Sequence, residues 1–308
     1  MRKGGFRVVF SVPIPFNEVL RDFYCGHRRM VLTITYKWLA VVLAGLLSVV
    51  LAFLIWFSWS RTDSAIVSFT FDDASNTQYD QAFRITQSYG LPGTLFVPTE
   101  MVNMSERGEG YEWTMGWDRI REISAAGWEI GSHSRTHTRL RDLSPDQVKD
   151  ELRGSRLEIE AQTGIAPMSF SSPFGNFDDD VIAQVMDVYD FHLSWKGHRG
   201  RNPGRGFERR FIGRFEVEND MTAAQVCGEM VKAAEADTWL VLLFHGIVEG
   251  EAEEYEVSTD VFEEIVACAG LLQAQGLIRV ETVRDAVEIL DWRRNLPFWG
   301  RQRGRDRG

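Results

Sequence analysis

The sequence is short of three things: positive charge, cysteine and internal repetition. The 308 residues carry a net charge of −10 and only three cysteines, and no segment repeats another. Hydrophobic residues make up 44% and charged residues 25% of the chain, a globular composition that excludes a disordered or fibrous protein. This length is enough for one large domain with a well-buried core.

The positive charge that is present concentrates at the two ends. Residues 1–37 hold seven lysines and arginines against two acidic residues, and residues 291–308 hold six arginines against two aspartates. Residues 38–290 therefore carry a net charge of −19. We expect no nucleic acid partner, because an acidic domain lacks the basic face that phosphates require. The arginine-rich tail is interpreted as a solvated terminus, with contact to anionic lipid or polymer as the alternative.

A charge-free run of 20 residues follows the basic N-terminal segment. Residues 38–57 (WLAVVLAGLLSVVLAFLIWF) have about the length that crosses a ~30 Å hydrocarbon layer as a helix. We predict a transmembrane signal anchor, with residues 1–37 cytoplasmic and the rest of the chain extracytoplasmic. A cleaved signal peptide is the alternative, but small residues normally follow its apolar core, and Ser58-Trp59-Ser60-Arg61 follows here. The anchor is the same whether the chain starts at Met1 or Met30.

The cysteines fall on both sides of the predicted anchor. Cys25 precedes it, whereas Cys227 and Cys268 lie in helical patterns of the exported part, where oxidation is permitted. Sequence does not establish whether these two lie within bridging distance, and we interpret them as small buried residues.

The exported part alternates apolar, β-branched runs with amphipathic helical patterns, which is typical of a parallel sheet built from βα units. The predicted strands are Ala65–Phe71, Gly93–Pro98, Trp128–Ser132, Pro167–Ser171, Phe191–Trp195, Trp239–Phe244 and Leu277–Glu281. The clearest helix begins with Ser144 at the N-cap, Pro145 and Gln147 as a capping box, and ends at Gly164. Seven such units favour an α/β fold of the distorted (β/α)7-barrel type over a small open sheet.

Two segments are predicted to be rim loops. Residues 197–215 are rich in glycine and arginine and are predicted to form a long loop that ends in a short strand. Residues 101–116 are the second candidate. The aromatic residues around it, Tyr111, Trp113 and Trp117, would stack on a sugar ring or, alternatively, pack in the core.

Candidate functional side chains follow three of the predicted strands. Asp72 and Asp73 come first, His133 and His137 follow another strand, and His245 follows a third. In a parallel barrel these strand ends share one face. One carboxylate and two imidazoles can bind a divalent ion and leave a second carboxylate free as a base. Taken singly, adjacent aspartates often cap a turn and spaced histidines often decorate a helix; their joint occurrence favours a metal-assisted hydrolytic site.

At these residues the chain resembles the polysaccharide deacetylase family, the NodB-homology or carbohydrate esterase family 4 group. Four motifs occur in the family's order: Thr70-Phe71-Asp72-Asp73, His133-Ser134-Arg135-Thr136-His137, Ser171-Ser172-Pro173-Phe174-Gly175 and Leu243-Phe244-His245. The resemblance spans Ser64 to Leu290 and implies a NodB-like barrel over the domain of residues 62–290. It also implies that the metal ligands are Asp73, His133 and His137, that Asp72 is the general base and His245 the general acid, and that Pro173 and the Phe174 N–H contact the substrate and its oxyanion. Zn²⁺ is the expected ion, with Co²⁺ and Ni²⁺ as alternatives.

The chain departs from the family pattern at two positions. The third motif usually begins with an arginine that positions the base, and Ser171 stands there. We therefore expect an arginine from residues 197–215 to hold Asp72. Ala74 replaces the glycine that commonly follows the aspartate pair, a change that fits unless the backbone needs a positive φ. The family's acidic partner for the terminal histidine is not identifiable from the sequence.

These expectations add up to a membrane-anchored, metal-dependent polysaccharide deacetylase. The predicted order is a cytoplasmic segment, an anchor, a catalytic domain over residues 62–290 and a basic tail. An acetylated polysaccharide is the expected partner, with N-acetyl groups of N-acetylglucosamine polymers first and O-acetyl groups as the alternative; nothing indicates an obligate protein partner. One competing hypothesis is a metal-containing saccharide-binding module that lost turnover with the motif arginine, and another is a site that acts on a different acyl bond.

Overall fold

The computed structural model describes residues 41–51, 65–194, 200–204 and 206–294. The chain divides into two units, Met1–Trp59 and Ser60–Gly308. In the first unit residues 41–51 are helical, and the remainder of the predicted anchor and residues 1–37 lie outside the described residues. Within the described ranges, no helix is long and apolar enough to cross a membrane. The anchor and its topology therefore stay predictions.

Twelve strands are described in the second unit. They are β1 (Ala65–Phe71), β2 (Thr94–Val97), β3 (Glu129–Ser132), β4 (Ser169–Ser171), β5 (Phe191–Ser194), β6 (Arg201–Pro203), β7 (Ile212–Gly213), β8 (Phe215–Glu216), β9 (Thr238–Phe244), β10 (Gly246–Val248), β11 (Glu256–Ser258) and β12 (Ile278–Val280). Ten form one sheet in the order β6-β9-β1-β2-β3-β4-β5-β7, with β12 on β1 and β8 on β9, while β10 and β11 pair separately. All pairings are parallel except β6 with β9. The predicted parallel sheet is confirmed.

Two very short strands close this sheet into a barrel. β7 pairs with β5, and β8, one residue further along the chain, pairs with β9. The ring therefore runs β1-β2-β3-β4-β5-β7/β8-β9, which is the predicted distorted (β/α)7 type. The prediction is wrong for one strand of the ring. Leu277–Glu281 is the predicted seventh strand, but β12 pairs only with the first half of β1, and residues 212–216 occupy the seventh position. Two-residue strands are too short to show an alternating pattern in sequence.

Helices fill the gaps between strands. They are α1 (Arg84–Ser88), preceded by a π-helical turn (Gln78–Phe83), α2 (Thr99–Arg107), α3 (Trp117–Ala125), α4 (Pro145–Thr163), α5 (Asp179–Val188), α6 (Ala223–Ala236), α7 (Thr259–Ala274) and α8 (Val283–Arg294), with 3-10 turns at Leu140–Asp142 and Pro173–Gly175. The capping box on α4 is confirmed. The predicted rim loop 101–116 is partly wrong, because α2 extends to Arg107 and ends on Gly108 in the left-handed region (φ 67°).

Alternation along β1 determines what faces the barrel interior. Ala65, Val67, Phe69 and Phe71 pack in the cluster that includes residues of α3, α6 and α7. The intervening residues 66, 68 and 70 are buried on the other side, because successive strand side chains point to opposite faces. Residues 66, 68 and 70 face the barrel interior, and Asp72 is the next residue of this series. It is 2% exposed. The first aspartate of the pair therefore lies inside the barrel mouth.

The two cysteines of the second unit form a disulfide. Cys227 on α6 and Cys268 on α7 have Cα atoms 6.1 Å apart and are bonded through sulfur. The interpretation of two unpaired buried residues is therefore wrong. The pairing depends on two helices that pack side by side, which spacing in sequence does not reveal.

Candidate metal centre

The predicted side chains meet at the C-terminal ends of the barrel strands. Asp72 and Asp73 follow β1, His133 follows β3, and His245 follows β9. His133 Nε2 lies 3.6 Å from Asp72 Oδ2 and 3.5 Å from Asp73 Oδ1. The structure thus brings together residues that are up to 173 positions apart in sequence, the separation of Asp72 and His245.

Asp72 is held by Arg214, which lies between β7 and β8. The guanidinium donates from Nη1 to Oδ1 at 2.7 Å and from Nη2 to Oδ2 at 2.9 Å, a bidentate pair. Ser171 adds a hydroxyl contact to Asp72 Oδ2 at 3.1 Å and accepts from Arg214 Nη2 at 2.9 Å. The expectation that an arginine of residues 197–215 replaces the motif arginine is confirmed.

This contact determines the charge state of Asp72. Burial opposes ionisation of the carboxyl group, but the charge and hydrogen bonds of Arg214 outweigh it and hold the pKa of Asp72 well below its usual range. Both side chains are nearly inaccessible, at 2% and 4% exposure. Asp72 is therefore an ionised, buried carboxylate beside the histidines.

Asp73, His133 and His137 form a three-ligand cluster. Their ligand atoms lie within 4.8 Å of one another, and His137 Nε2 is 3.1 Å from Asp73 Oδ1 and 3.2 Å from His133 Nε2. Asp73 Oδ1 is buried and accepts no hydrogen bond of regular geometry among the described residues, although the Nε2 atoms of His137 and His133 both lie close to it. One carboxylate and two imidazoles suit Zn²⁺ and similar divalent ions, so the residues fit a metal.

The ring of His133 is oriented for ligation by a backbone contact. Its Nδ1 lies 2.8 Å from the Ser171 carbonyl oxygen, which can only accept, so Nδ1 carries the proton and Nε2 keeps a lone pair. Burial also lowers the pKa of His133, to about 4, which keeps the ring neutral near pH 7. A neutral imidazole is the form that binds a metal.

The backbone after β1 is unusual, because both Asp73 (φ 77°) and Ala74 (φ 53°) are left-handed. In a regular strand Asp72 and Asp73 would point to opposite faces. The turn at Asp73 breaks that alternation and brings both carboxylates to His133. Alanine is expected to fit at position 74 unless the backbone needs a positive φ, and this position does have a positive φ, so the residue is strained.

The turn that carries His137 is fixed by Glu151 on α4. Glu151 Oε2 accepts hydrogen bonds from the backbone N–H groups of Arg135 and Thr136 at 2.9 and 2.8 Å, and Oε1 accepts from the Thr136 hydroxyl at 2.7 Å. No sequence motif predicts this role for Glu151. A glutamate in the body of a helix carries no signal that distinguishes an inward-facing anchor from a solvated charge.

His245 faces the site from the end of β9. Its Nδ1 is 3.8 Å from Oε1 of Glu216 on β8, the acidic partner that the sequence did not identify. Burial raises the pKa of Glu216, and the nearby His245 works in the opposite direction. The carboxyl group is therefore placed to interact with the imidazole through charge and not through a direct hydrogen bond.

The third motif contributes a backbone amide to the rim. In the turn Pro173–Gly175, Gly175 N donates to Ser172 O and Asn176 N donates to Pro173 O, whereas the Phe174 N–H is paired with no backbone carbonyl of the described residues. Phe174 has φ 58° and is 53% exposed, and its ring centre is 4.6 Å from that of His137. Pro173 is buried.

A family model described as Polysaccharide deacetylase matches residues 60–189. This part of the chain is therefore similar to the polysaccharide deacetylase family. The match includes Asp72, Asp73, His133 and His137 and ends before Arg214 and His245, so the similarity rests on the first three motifs.

Two relatives are similar in sequence to part of the chain, and one solved structure is similar in fold. YxkH of Bacillus subtilis is 24% identical over 116 residues, 38% of this chain and 39% of YxkH. The peptidoglycan-N-acetylmuramic acid deacetylase PdaC of the same organism is 26% identical over 175 residues, 54% of this chain and 35% of PdaC. The chain thus matches well under half the length of both relatives. The Xyl-CE4 domain of a multidomain xylanase from a Trinervitermes trinervoides hindgut metagenome has the same fold, with a TM-score of 0.50 at 17% identity over 73% of this chain and 90% of that domain.

We expect Arg214→Met to destabilise the fold in a pH-dependent way. The substitution leaves Asp72 buried without its counter-charge, which should lower the free energy of unfolding by about 3–5 kcal/mol at pH 7. Because the folded pKa of Asp72 lies below its unfolded value, the pair stabilises the protein above about pH 4, and this contribution falls as the pH drops. Urea unfolding at pH 7 and pH 3.5 measures both values.

The matched control is Arg209→Met, in the same segment. Arg209 is 44% exposed and pairs with Asp291 at the surface, where such a contact contributes about 0–1 kcal/mol. A loss for Arg214→Met that is equally small, or that grows toward acid pH, would contradict the ion-pair assignment.

We also expect each of Asp73→Ala, His133→Ala and His137→Ala to lose metal. After dialysis against Zn²⁺ the unsubstituted chain should retain one ion, and each variant should retain clearly less, because two ligands bind more weakly than three. His245→Ala is the control and should retain the ion. Elemental analysis of the dialysed proteins gives the stoichiometry, and full metal content in any of the three variants would remove that residue from the ligand set.

Proposed function

We propose that the chain is a metal-dependent polysaccharide deacetylase that hydrolyses acetyl groups, with Asp72 as general base and His245 as general acid. The observation that carries the proposal is the position of Asp72. It is a buried, ionised carboxylate 3.6 Å from His133 Nε2, beside the three-ligand cluster and not part of it. Activation of a water at a metal site requires a carboxylate that lies beside the site and is not itself a metal ligand.

Each residue has a distinct role in this proposal. A divalent ion bound at Asp73, His133 and His137 would supply Lewis acidity and a more acidic water. Asp72 accepts the proton of the attacking water, and Arg214 keeps this carboxylate ionised and oriented. The Phe174 N–H donates to the oxyanion of the tetrahedral intermediate. His245 then transfers a proton to the departing amine or alcohol, and Glu216 Oε1 lies 3.8 Å from the other ring nitrogen, Nδ1.

Exposed aromatic residues beside the site support a polysaccharide substrate. Tyr111 and Trp113 are 39% and 47% exposed and contact each other edge to face. Their loop is tied to the turn after the aspartates, because Asn76 N donates to Trp113 O at 2.7 Å and Met115 N to Ala74 O at 2.8 Å. Sugar rings stack on such aromatic faces. Trp117 does not share this role, since it is buried.

N-acetylglucosamine polymers are the first substrates to test. PdaC acts on peptidoglycan N-acetylmuramic acid by its name, and the Xyl-CE4 domain belongs to a xylanase, so the panel includes both polymer classes. The competing hypothesis of an inactive saccharide-binding module depended on a missing base-positioning arginine. Arg214 supplies that charge and so favours turnover.

The test is acetate release by the full chain from chito-oligosaccharides, peptidoglycan, poly-N-acetylglucosamine and acetylated xylan, with and without Zn²⁺ or Co²⁺. We expect metal-dependent release that Asp72→Asn lowers by about 10²-fold or more while the metal is retained, the scale expected for loss of a general base. Asp80→Asn, a surface carboxylate change, is the control. Near-normal rates for Asp72→Asn would exclude the base role, and no release from a fully metal-loaded protein would favour the binding module.

We further propose that the catalytic domain lies on the extracytoplasmic side of a membrane, anchored by residues 38–57. The basic residues before this run support the orientation. The Cys227–Cys268 disulfide supports an oxidising compartment.

Thiol alkylation in cells tests this location. In cells lysed under denaturing conditions, Cys25 should react at once, whereas Cys227 and Cys268 should react only after reduction. A chain that begins at residue 62 and stays in the cytosol is the control, and its two cysteines should react without reduction. Immediate reaction of all three cysteines in the full chain would contradict an oxidising location.

A further inference from the structure

Gln78 is a buried amide that links the strand ends carrying Asp72 and His245. It is 1% exposed, and its Nε2 donates to the carbonyl oxygen of Asp72 at 2.5 Å and to that of His245 at 2.8 Å. The amide oxygen, Oε1, is buried without a partner among the described residues. Rotating the amide would place that oxygen against two carbonyl oxygens, so the acceptors fix which end carries the nitrogen.

The side chain of Gln78 replaces a backbone hydrogen bond that is missing between β1 and β9. β1 and β9 pair in parallel, and the last rung is the bond from Asp72 N to Phe244 O at 3.1 Å. The next rung of a parallel ladder would run from Gly246 N to Asp72 O. Gly246 N instead donates to Tyr255 O at 3.3 Å, where β10 begins to pair with β11. The side-chain amide therefore replaces a backbone donor at the point where the two strands separate.

The local helix geometry holds Gln78 in place. It is the first residue of the π-helical turn Gln78–Phe83, and its backbone N–H donates to Ser75 O at 3.0 Å. π-helical turns are rare and occur frequently at functional sites. This turn begins five residues after Asp73, so the segment that follows the aspartate pair folds back to support it.

We propose that Gln78 is a positioning residue that sets the orientation of Asp72 relative to His245. The inference rests on the proposed function, in which these two residues are the base and the acid. Gln78 reaches their backbones and not their reacting atoms, so its effect on the reaction passes through them. A displacement of about 1 Å in a catalytic group can lower a rate about 10²-fold.

Gln78→Met tests the proposal, because methionine keeps the length and burial of the side chain and removes both donors. We expect kcat to fall about 10- to 100-fold, with one metal ion per chain retained and KM changed by less than about twofold. Thr86→Val is the matched control. Its buried hydroxyl bonds to Ala82 O and Phe83 O on the same helical segment and does not reach the site, so kcat should stay normal.

Amide hydrogen exchange without substrate gives a second readout that does not depend on activity. Exchange should become faster in residues 71–74 and 244–248 of Gln78→Met and stay unchanged there in Thr86→Val. Unchanged exchange, loss of metal from Gln78→Met, or an equal fall in kcat for both variants would overturn the inference. If the unsubstituted chain releases no acetate while exchange changes as expected, the proposed function fails and the link between the two strand ends stands.

Discussion

The barrel mouth of this protein is organised around one buried charge, the Asp72 carboxylate. Removing an ion from water costs several kcal/mol, and only a close, well-hydrogen-bonded counter-ion offsets that cost. Arg214 meets this requirement with two hydrogen bonds, and it comes from the segment between β7 and β8 that completes the ring of strands. Barrel closure and the state of the candidate base therefore depend on the same interaction.

This dependence explains how the chain can lack the family's motif arginine. Ser171 Oγ lies within 3.1 Å of Asp72 and 2.9 Å of Arg214, so the motif position and the guanidinium converge on one carboxylate. A second arginine at position 171 would bring two like charges together in a dry site, where repulsion is strong. The Ser171 hydroxyl therefore accompanies an arginine from the segment between β7 and β8, and the role of Ser171 is understood only together with Arg214.

The strands and the residues that follow them were predictable from the sequence. A long buried strand and the polar residues at its end are contiguous in sequence and give a recognisable hydrophobic pattern. The sequence also predicted the segment from which the base-holding arginine comes. The features it missed are those that arise between distant elements: barrel closure by residues 212–216, the Glu151 anchor, the Gln78 amide and the Cys227–Cys268 disulfide. Each depends on a three-dimensional contact, and none alters the local alternation from which strands are inferred.

The remaining feature that sequence did not predict is backbone strain at the site. Asp73, Ala74, Ser134, His137 and Phe174 all have positive φ, a conformation that costs about 1–2 kcal/mol for a residue with a Cβ. Such strain persists only where neighbours impose it. The hydrogen bonds to Glu151 impose it on the turn before His137, and the bond from Met115 N imposes it on Ala74. Two adjacent carboxylates can face the same histidines only through this distortion, so the candidate metal centre depends on residues outside its three-ligand cluster.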